Sequence, residues 1–315
     1  MKNKKIIKDI KKFILGKREF NYLESSNEML YPIDLEFTLQ DENFYYTPKD
    51  NQGLPQRYYE SVGLTYNPTR MASFTLAHWN RYKIDENKLS LKKFNKALEW
   101  FINYHEEGVW YYDFDWNELQ APWLSGMAQG QIISVLTRAY QLTNNPLYKK
   151  ISLKAIIPFE KKIELGGVVS HLGNDIFFEE YPTNNPKHVL NGYLFSMIGI
   201  IDLLSIMKKT DKDYERVKEL SENAFKSLEK NIERWDNGYW SVYDLENEKN
   251  KIQNTCTISY HSLQIAQLTF IGKEFKSEKI IKVAKRWDGY AKSLYKRLKS
   301  LLMKIIYRYK NPAQR

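Results

Sequence analysis

From Tyr66 onward, apolar residues spaced three and four apart recur in paired, helix-length runs, and between the pairs stand short aromatic segments each opened by a glycine. The runs fall at 67–83 with 89–104, 123–143 with 146–160, 187–208 with 211–232, and 258–271 with 275–305. The intervening segments are "EEGVWYYDFDWN" at Gly108, "LGGVVSHLGND" at Gly167 and "WDNGYWSVYDLEN" at Gly238. Spacing of three and four marks amphipathic helices. A helical hairpin followed by a short β excursion cannot bury its apolar face alone, so successive copies must stack on one another. The pattern predicts a mainly α fold: an incomplete (α/α) toroid or barrel of helical hairpins with short β excursions. A plain helical bundle gives no reason for aromatic, acidic excursions after successive hairpins. In a toroid they collect at one mouth.

Ahead of the hairpins, residues 1 to 15 read as a short basic amphipathic helix, and 20 to 65 carry period-2 runs such as "IDLEFTL", which predict strands and loops. The expected organisation is a basic N-terminal helix and β/loop appendage over 1–65 and a toroidal catalytic domain over 66–315. Charges break every apolar run of "MKNKKIIKDIKKFILGKREF", so no cleaved signal peptide is expected. The most apolar stretch, "YLFSMIGIIDLLSIM", is too short for a bilayer and carries Asp202; it predicts a buried helix, with no transmembrane helix in the chain. A single cysteine, Cys256, rules out an intrachain disulfide framework and is compatible with a reducing compartment. The expected location is therefore cytoplasmic. It becomes peripheral to a membrane if the basic tail "YAKSLYKRLKSLLMKIIYRYK" meets anionic lipid rather than forming a solvated outer helix. Oligomeric state is left open.

A net charge of +10 favours a polyanionic partner: nucleic acid, anionic lipid or acidic polysaccharide. The 23 Tyr and 8 Trp exceed what a core needs, and aromatic faces with polar edges suit sugar rings. No nucleic-acid module is recognisable, so no nucleic-acid partner is expected. His78, His105, His171, His188 and His261 have no His-x-x-x-His spacing and no cysteine partner, which argues against zinc. Asp113, Asp115 and Glu118 could supply oxygen ligands to calcium but lack an ordered calcium loop. With no Gly-rich phosphate fingerprint either, neither metal nor cofactor is expected.

Four stretches carry groups fit for chemistry. "FFEEYPTNNPKHVLN" sets two carboxylates, a phenol and a histidine together, which are the parts of a proton-transfer site or of an ordinary surface turn. "PWLSGMAQGQ" opens a helix with Ser125, Gly126, Ala128 and Gly130, small enough for tight helix packing, around a polar Gln129. Tyr243 with Asp244, and Tyr260 with His261, stand at element ends. A lone tyrosine there is more often a half-buried core residue than a reactive one.

Residues 122–142, "PWLSGMAQGQIISVLTRAYQL", then 179–202, "EEYPTNNPKHVLNGYLFSMIGIID", "YDL" at 243–245, "SYHSLQIAQL" at 259–268 and "KRWDGY" at 285–290 resemble, in order and spacing, the C-terminal domain of D-glucuronyl C5-epimerases. The resemblance extends weakly upstream through "YNPTRMASFTLAHWN". It implies an incomplete (α/α) barrel, an anionic uronate polysaccharide substrate of heparosan type, and conversion of its D-glucuronic to L-iduronic acid units. Glu180 and Tyr181 occupy the family's Glu-Tyr-Pro motif, Tyr243 its Tyr-Asp-Leu motif, and Tyr260 the tyrosine opening the last inner helix.

Epimerisation at C5 removes a proton α to a carboxylate and returns one to the other face, so two acid/base groups must flank the ring. Glu180 and Tyr260 are the expected pair, with Tyr181 and Tyr243 orienting or neutralising the substrate carboxylate. Trp123, Gln129, Glu179, His188, Asn191 and His261, in or beside the same motifs, are the expected substrate-binding set. The chain departs from the family after "YDL", where an arginine is replaced by Glu246, and the large N-terminal β region of animal members is mostly missing. A uronate polysaccharide lyase on the same fold and a non-catalytic glycan-binding protein are the competing readings.

Overall fold

The computed structural model describes residues 10–24 and 29–311. Four helical hairpins make up most of it: α1 (Pro68–Asp85) with α2 (Lys88–Asn103), α3 (Gly126–Thr143) with α4 (Pro146–Ala155), α5 (Leu190–Ser205) with α6 (Tyr214–Asn231), and α7 (Ile258–Glu274) with α8 (Glu278–Lys292). A last helix, α9 (Leu294–Lys310), follows. Local chemistry sets the tight turns. Glu86 and Asn144 take left-handed backbone at the ends of α1 and α3, and the next residues, Asn87 and Asn145, cap α2 and α4 through their side-chain oxygens.

The helices form two layers. α3 is buried almost continuously from Gly126 to Ala139 and α5 from Leu190 to Ile200, whereas α2, α6 and α8 bury one stripe each. α1 packs on α3, α3 on α5 and α5 on α7, and each of these inner helices is backed by its own outer partner. The inner arc is left open between α7 and α1, and the N-terminal segment lies in the opening. Ser259 donates to Glu19, Arg18 pairs with Asp288, and Tyr31 exchanges hydrogen bonds with Asn80 of α1. The molecule is thus an incomplete (α/α) toroid.

The closest seam is α3 against α5. A Cβ at Gly130 would stand 2.4 Å from Phe195 O, and one at Gly199 would stand 2.1 Å from Gly130 O. The two backbones touch, which is why glycine is kept in helix interiors despite costing about 1 kcal/mol against Ala. Gly199→Ala should force the seam apart and lower unfolding free energy by about 1–3 kcal/mol, the usual cost of overpacking. Chemical denaturation reads this directly. An unchanged midpoint would mean that the helices separate without cost.

Two expectations are corrected. "IDLEFTL" does not form a strand, because Glu36–Gln40 is a short helix whose buried residues, Thr38 and Leu39, follow buried Leu35 at helical spacing and pack towards α1. Among the described residues of this region, strands pair only in the hairpin of β1 (Arg57–Tyr59) and β2 (Gly63–Thr65), beside the isolated bridges Tyr22–Ile33 and Lys49–Pro55. The run at 275–305 is not one helix but α8 and α9, broken at Ser293, whose extended backbone ends one while its Oγ accepts from Lys296 N to cap the other. The part of the basic N-terminal helix before residue 10 lies outside the described residues, and 10–15 are helical.

Candidate active site

Each inner helix is returned by an outer one, so all four inner helices run the same way and present their N-termini at one end of the toroid. A cavity of about 380 Å³ opens there. α1 supplies Asn67, Thr69 and Arg70, α3 Ser125 and Met127, and α7 Tyr260. Glu180 and Tyr181 enter from the end of β4, and Arg57, Tyr59, Tyr112, Trp116 and Trp123 complete the wall. The N-termini of α1, α3 and α7 line this cavity, and helix N-termini favour an anionic ligand.

Glu180 owes its position to the antiparallel hairpin of β3 (Val169–Leu172) and β4 (Asp175–Phe178). Past the hairpin, Glu179 N donates to Val168 O and Glu179 O accepts from Gly126 N, which ties the chain to the start of α3. Glu180 is 3% exposed. Asn191 Nδ2 lies 3.5 Å from its Oε2, and the Tyr181 and Tyr243 hydroxyls also bond it. Burial outweighs these three donors, and the carboxyl pKa is raised to about 7. Room for it comes from Gly192, where a Cβ would fall 2.6 Å from Glu180 Cβ.

The phenols respond to the same charge. Tyr181 and Tyr243 are pushed well above the usual tyrosine range by burial first and by Glu180 next. Tyr260, 41% exposed at the rim, is raised by desolvation and then by Glu180, and its ring meets Tyr243 edge-on at 5.2 Å. Arg70 is lowered by burial and then by the positive charge of Arg57. Among the described residues neither guanidinium pairs with a carboxylate, and Arg70 commits only Nη2, to Thr47 O at 2.9 Å. A buried carboxylate of near-neutral pKa, a partly open phenol and two unpaired cations thus share one cavity.

A family model described as the D-glucuronyl C5-epimerase C-terminus matches residues 103–289, a span that holds Glu180, Tyr181, Tyr243 and Tyr260. The chain belongs to this epimerase family. It is 33% identical over 213 residues to the D-glucuronyl C5-epimerase of Caenorhabditis elegans, covering 63% of this chain and 35% of that protein. It is 26% identical over 185 residues to an uncharacterised protein of Methanocaldococcus jannaschii, covering 57% and 56% of the two chains. The chain therefore spans about a third and a little over half of these relatives' lengths. Among solved structures it is similar to the cellobiose 2-epimerase of Bacillus thermoamylovorans, with a TM-score of 0.51 and 16% identity, over 71% of this chain and 59% of that one. At that identity the likeness speaks for the (α/α) fold alone.

Within this epimerase-family fold, Glu180, Tyr181, Tyr260 and Trp123 line the cavity, while Tyr243 and Asn191 stand behind Glu180. Four residues expected to touch substrate are engaged elsewhere. Gln129 is fully buried, accepting from Trp110 N and donating to Gly108 O and Ala155 O, so it pins the first excursion to α4. His261 is buried under Trp240 at 3.8 Å, with Nε2 donating to Trp287 O and Nδ1 meeting Ser241 Oγ at 2.7 Å. Glu179 points away from Glu180, accepting from Ser170 Oγ at 2.6 Å and His188 N at 3.1 Å, and burial raises it to about 7. The His188 ring rests against His171 O and Pro186 O. All four hold loops that shape the mouth.

The two arginines are absent from the residues picked out by motif. A signal existed: Arg70 is the third residue after the Asn67 cap of α1, as Tyr260 is the third after the Thr257 cap of α7. The equivalent positions on α3 and α5 are Ala128 and Gly192, small residues that leave space. Glu246 pairs with Lys187 at 3.1 Å in an adjoining cavity of about 330 Å³, which shares Trp116 and Tyr181 with the first. Asp113, Asp115 and Glu118 do not converge, and no group of three or more His, Cys, Asp or Glu suited to a metal occurs among the described residues.

Proposed function

We propose that the chain is a uronate C5-epimerase, converting D-glucuronic to L-iduronic acid units of an acidic polysaccharide. The observation that carries this reading is Glu180, buried, held near pKa 7, and facing the same cavity as Tyr260. A base poised near neutrality combines availability with proton affinity. Glu180 takes the C5 proton, and the electron pair left by the broken C–H bond moves into the substrate carboxylate. The Tyr260 phenol then gives its proton to the opposite face of C5, and the pair resets by passing a proton from Glu180 to the phenolate through solvent. In the reverse direction the roles exchange.

The intermediate concentrates negative charge on the substrate carboxylate, where donors stabilise it most. Arg70 and Arg57, in the same cavity as Glu180, are suited to that duty. Arg70→Met should lower kcat/KM on a glucuronate polymer by roughly 10- to 100-fold, the worth of one hydrogen bond to a charged group. Binding of a neutral glucan should not change. Equal activity in wild type and variant would remove the arginine from the account.

The Trp116 and Tyr181 rings stand between the two cavities, an arrangement that suits neighbouring sugars of one chain. The test is incubation with heparosan in ordinary water. Iduronate signals by NMR with chain length unchanged are the expected result. Shortened chains with the absorbance of an unsaturated uronate would make the protein a lyase, which shares the first step but expels the 4-linked sugar.

A further inference from the structure

α9 is amphipathic the wrong way round for a helix that only covers a core. Its buried residues are Ser300 and Tyr307, both on the face towards the toroid. Leu294, Leu298, Leu302, Ile305 and Tyr309, at steps of three and four, form the opposite face together with Tyr295, and all six are exposed, from 45% at Leu298 to 88% at Tyr309. A surface helix ordinarily turns such a stripe inward, and a contiguous exposed stripe marks an interaction surface. The helix also carries Lys296, Arg297, Lys299, Lys304, Arg308 and Lys310 and no acidic residue.

α9 is fixed in place. Arg297 donates to Phe13 O, Ile14 O, Ala291 O and Lys292 O, which ties its first turns to the N-terminal segment and the end of α8. Ile14 and Leu15, in that segment, are exposed as well. Towards its other end, Lys304 donates to Asn254 Oδ1, and Asn254 lines the cavity beside Glu246. α9 therefore runs along the edge of the toroid next to the mouth.

We propose that this face docks on an anionic membrane surface. Lys296, Arg297 and Lys304 are held against the toroid, whereas Lys299, Arg308 and Lys310 are exposed at the borders of the apolar stripe. An apolar stripe bordered by exposed cations is the pattern of a helix lying in the lipid interface, where the apolar side chains enter the acyl boundary and the bordering cations meet headgroup charge. Symmetric pairing with a second copy would instead bring Lys299, Arg308 and Lys310 of two helices together with no acidic residue on either helix to offset them. Docking holds the mouth close to the lipid surface, within reach of a glycan attached to it.

The test is sedimentation of the full chain with vesicles of phosphatidylcholine alone and of equal parts phosphatidylcholine and phosphatidylglycerol. Binding to the anionic vesicles, weakened by salt and absent on phosphatidylcholine alone, is the expected result. The Leu298→Ser, Leu302→Ser, Ile305→Ser triple variant replaces only exposed side chains and should bind at least about tenfold more weakly, since each lost apolar contact adds to the loss. Its circular dichroism and its activity on soluble polymer should match the wild type. Equal vesicle binding by variant and wild type, or no vesicle binding together with a dimer that the triple variant dissolves, would overturn the proposal.

Discussion

Glu180→Gln should reduce C5 proton exchange by about 10²- to 10⁴-fold, the usual worth of a general base, while making the fold more stable above neutral pH. The sign follows from the raised pKa. In the folded chain the carboxyl titrates near 7 and in the unfolded chain near 4.5, so between those values the folded state holds a proton that the unfolded state does not. Wild-type stability therefore falls as pH rises through that window, and above it the buried charge costs on the order of 3 kcal/mol. Glutamine escapes that cost. Denaturation at about pH 8 should find the variant more stable, and the advantage should shrink at about pH 5, where the wild-type carboxyl is protonated. A folded variant with near wild-type exchange would remove Glu180 from proton transfer. An unchanged stability at the higher pH would mean that the site does not destabilise its own carboxylate.

Tyr260→Phe should separate exchange from inversion. With the phenol gone, Glu180 still removes the C5 proton and still returns one, but only to the face it came from. The variant is expected to lose about 10²- to 10⁴-fold in iduronate formation, yet to wash solvent deuterium into C5 of glucuronate units with configuration retained. Inversion at the wild-type rate would assign the second face to another group. Loss of inversion and exchange in equal measure would make Tyr260 a positioning residue. The edge-on contact with Tyr243 makes phenylalanine a fair replacement, because the ring packing stays while the hydroxyl goes.

The hairpins were legible because their signals are local. Asn87, Asn145, Ser277 and Thr257 cap where the apolar spacing begins, and the glycine-led excursions separate the pairs. "IDLEFTL" misled because its alternating letters fit both periods, and packing near α1 decided between them. Of the candidate site, three residues set by short motifs, Glu180, Tyr181 and Tyr260, meet in one cavity. Gln129 and His261 look functional in sequence, since polar groups inside apolar helices invite that reading. Their partners are backbone groups and a serine from distant loops, which only the folded chain brings near. Arg57 was hidden for the converse reason. It stands on a short hairpin outside every motif, and its nearness to Arg70 is a fact of three dimensions.

A cavity that deprotonates and reprotonates C5 of a uronate unit must exchange that hydrogen with solvent. Deuterium incorporation at C5 of heparosan incubated with the chain in heavy water, read by NMR, tests it most directly. Deuterium at C5 in both glucuronate and iduronate units is the expected result, with incorporation slowed by about 10²- to 10⁴-fold when Glu180→Gln replaces the wild type. Polymer that binds but returns with its C5 hydrogens unexchanged would contradict it.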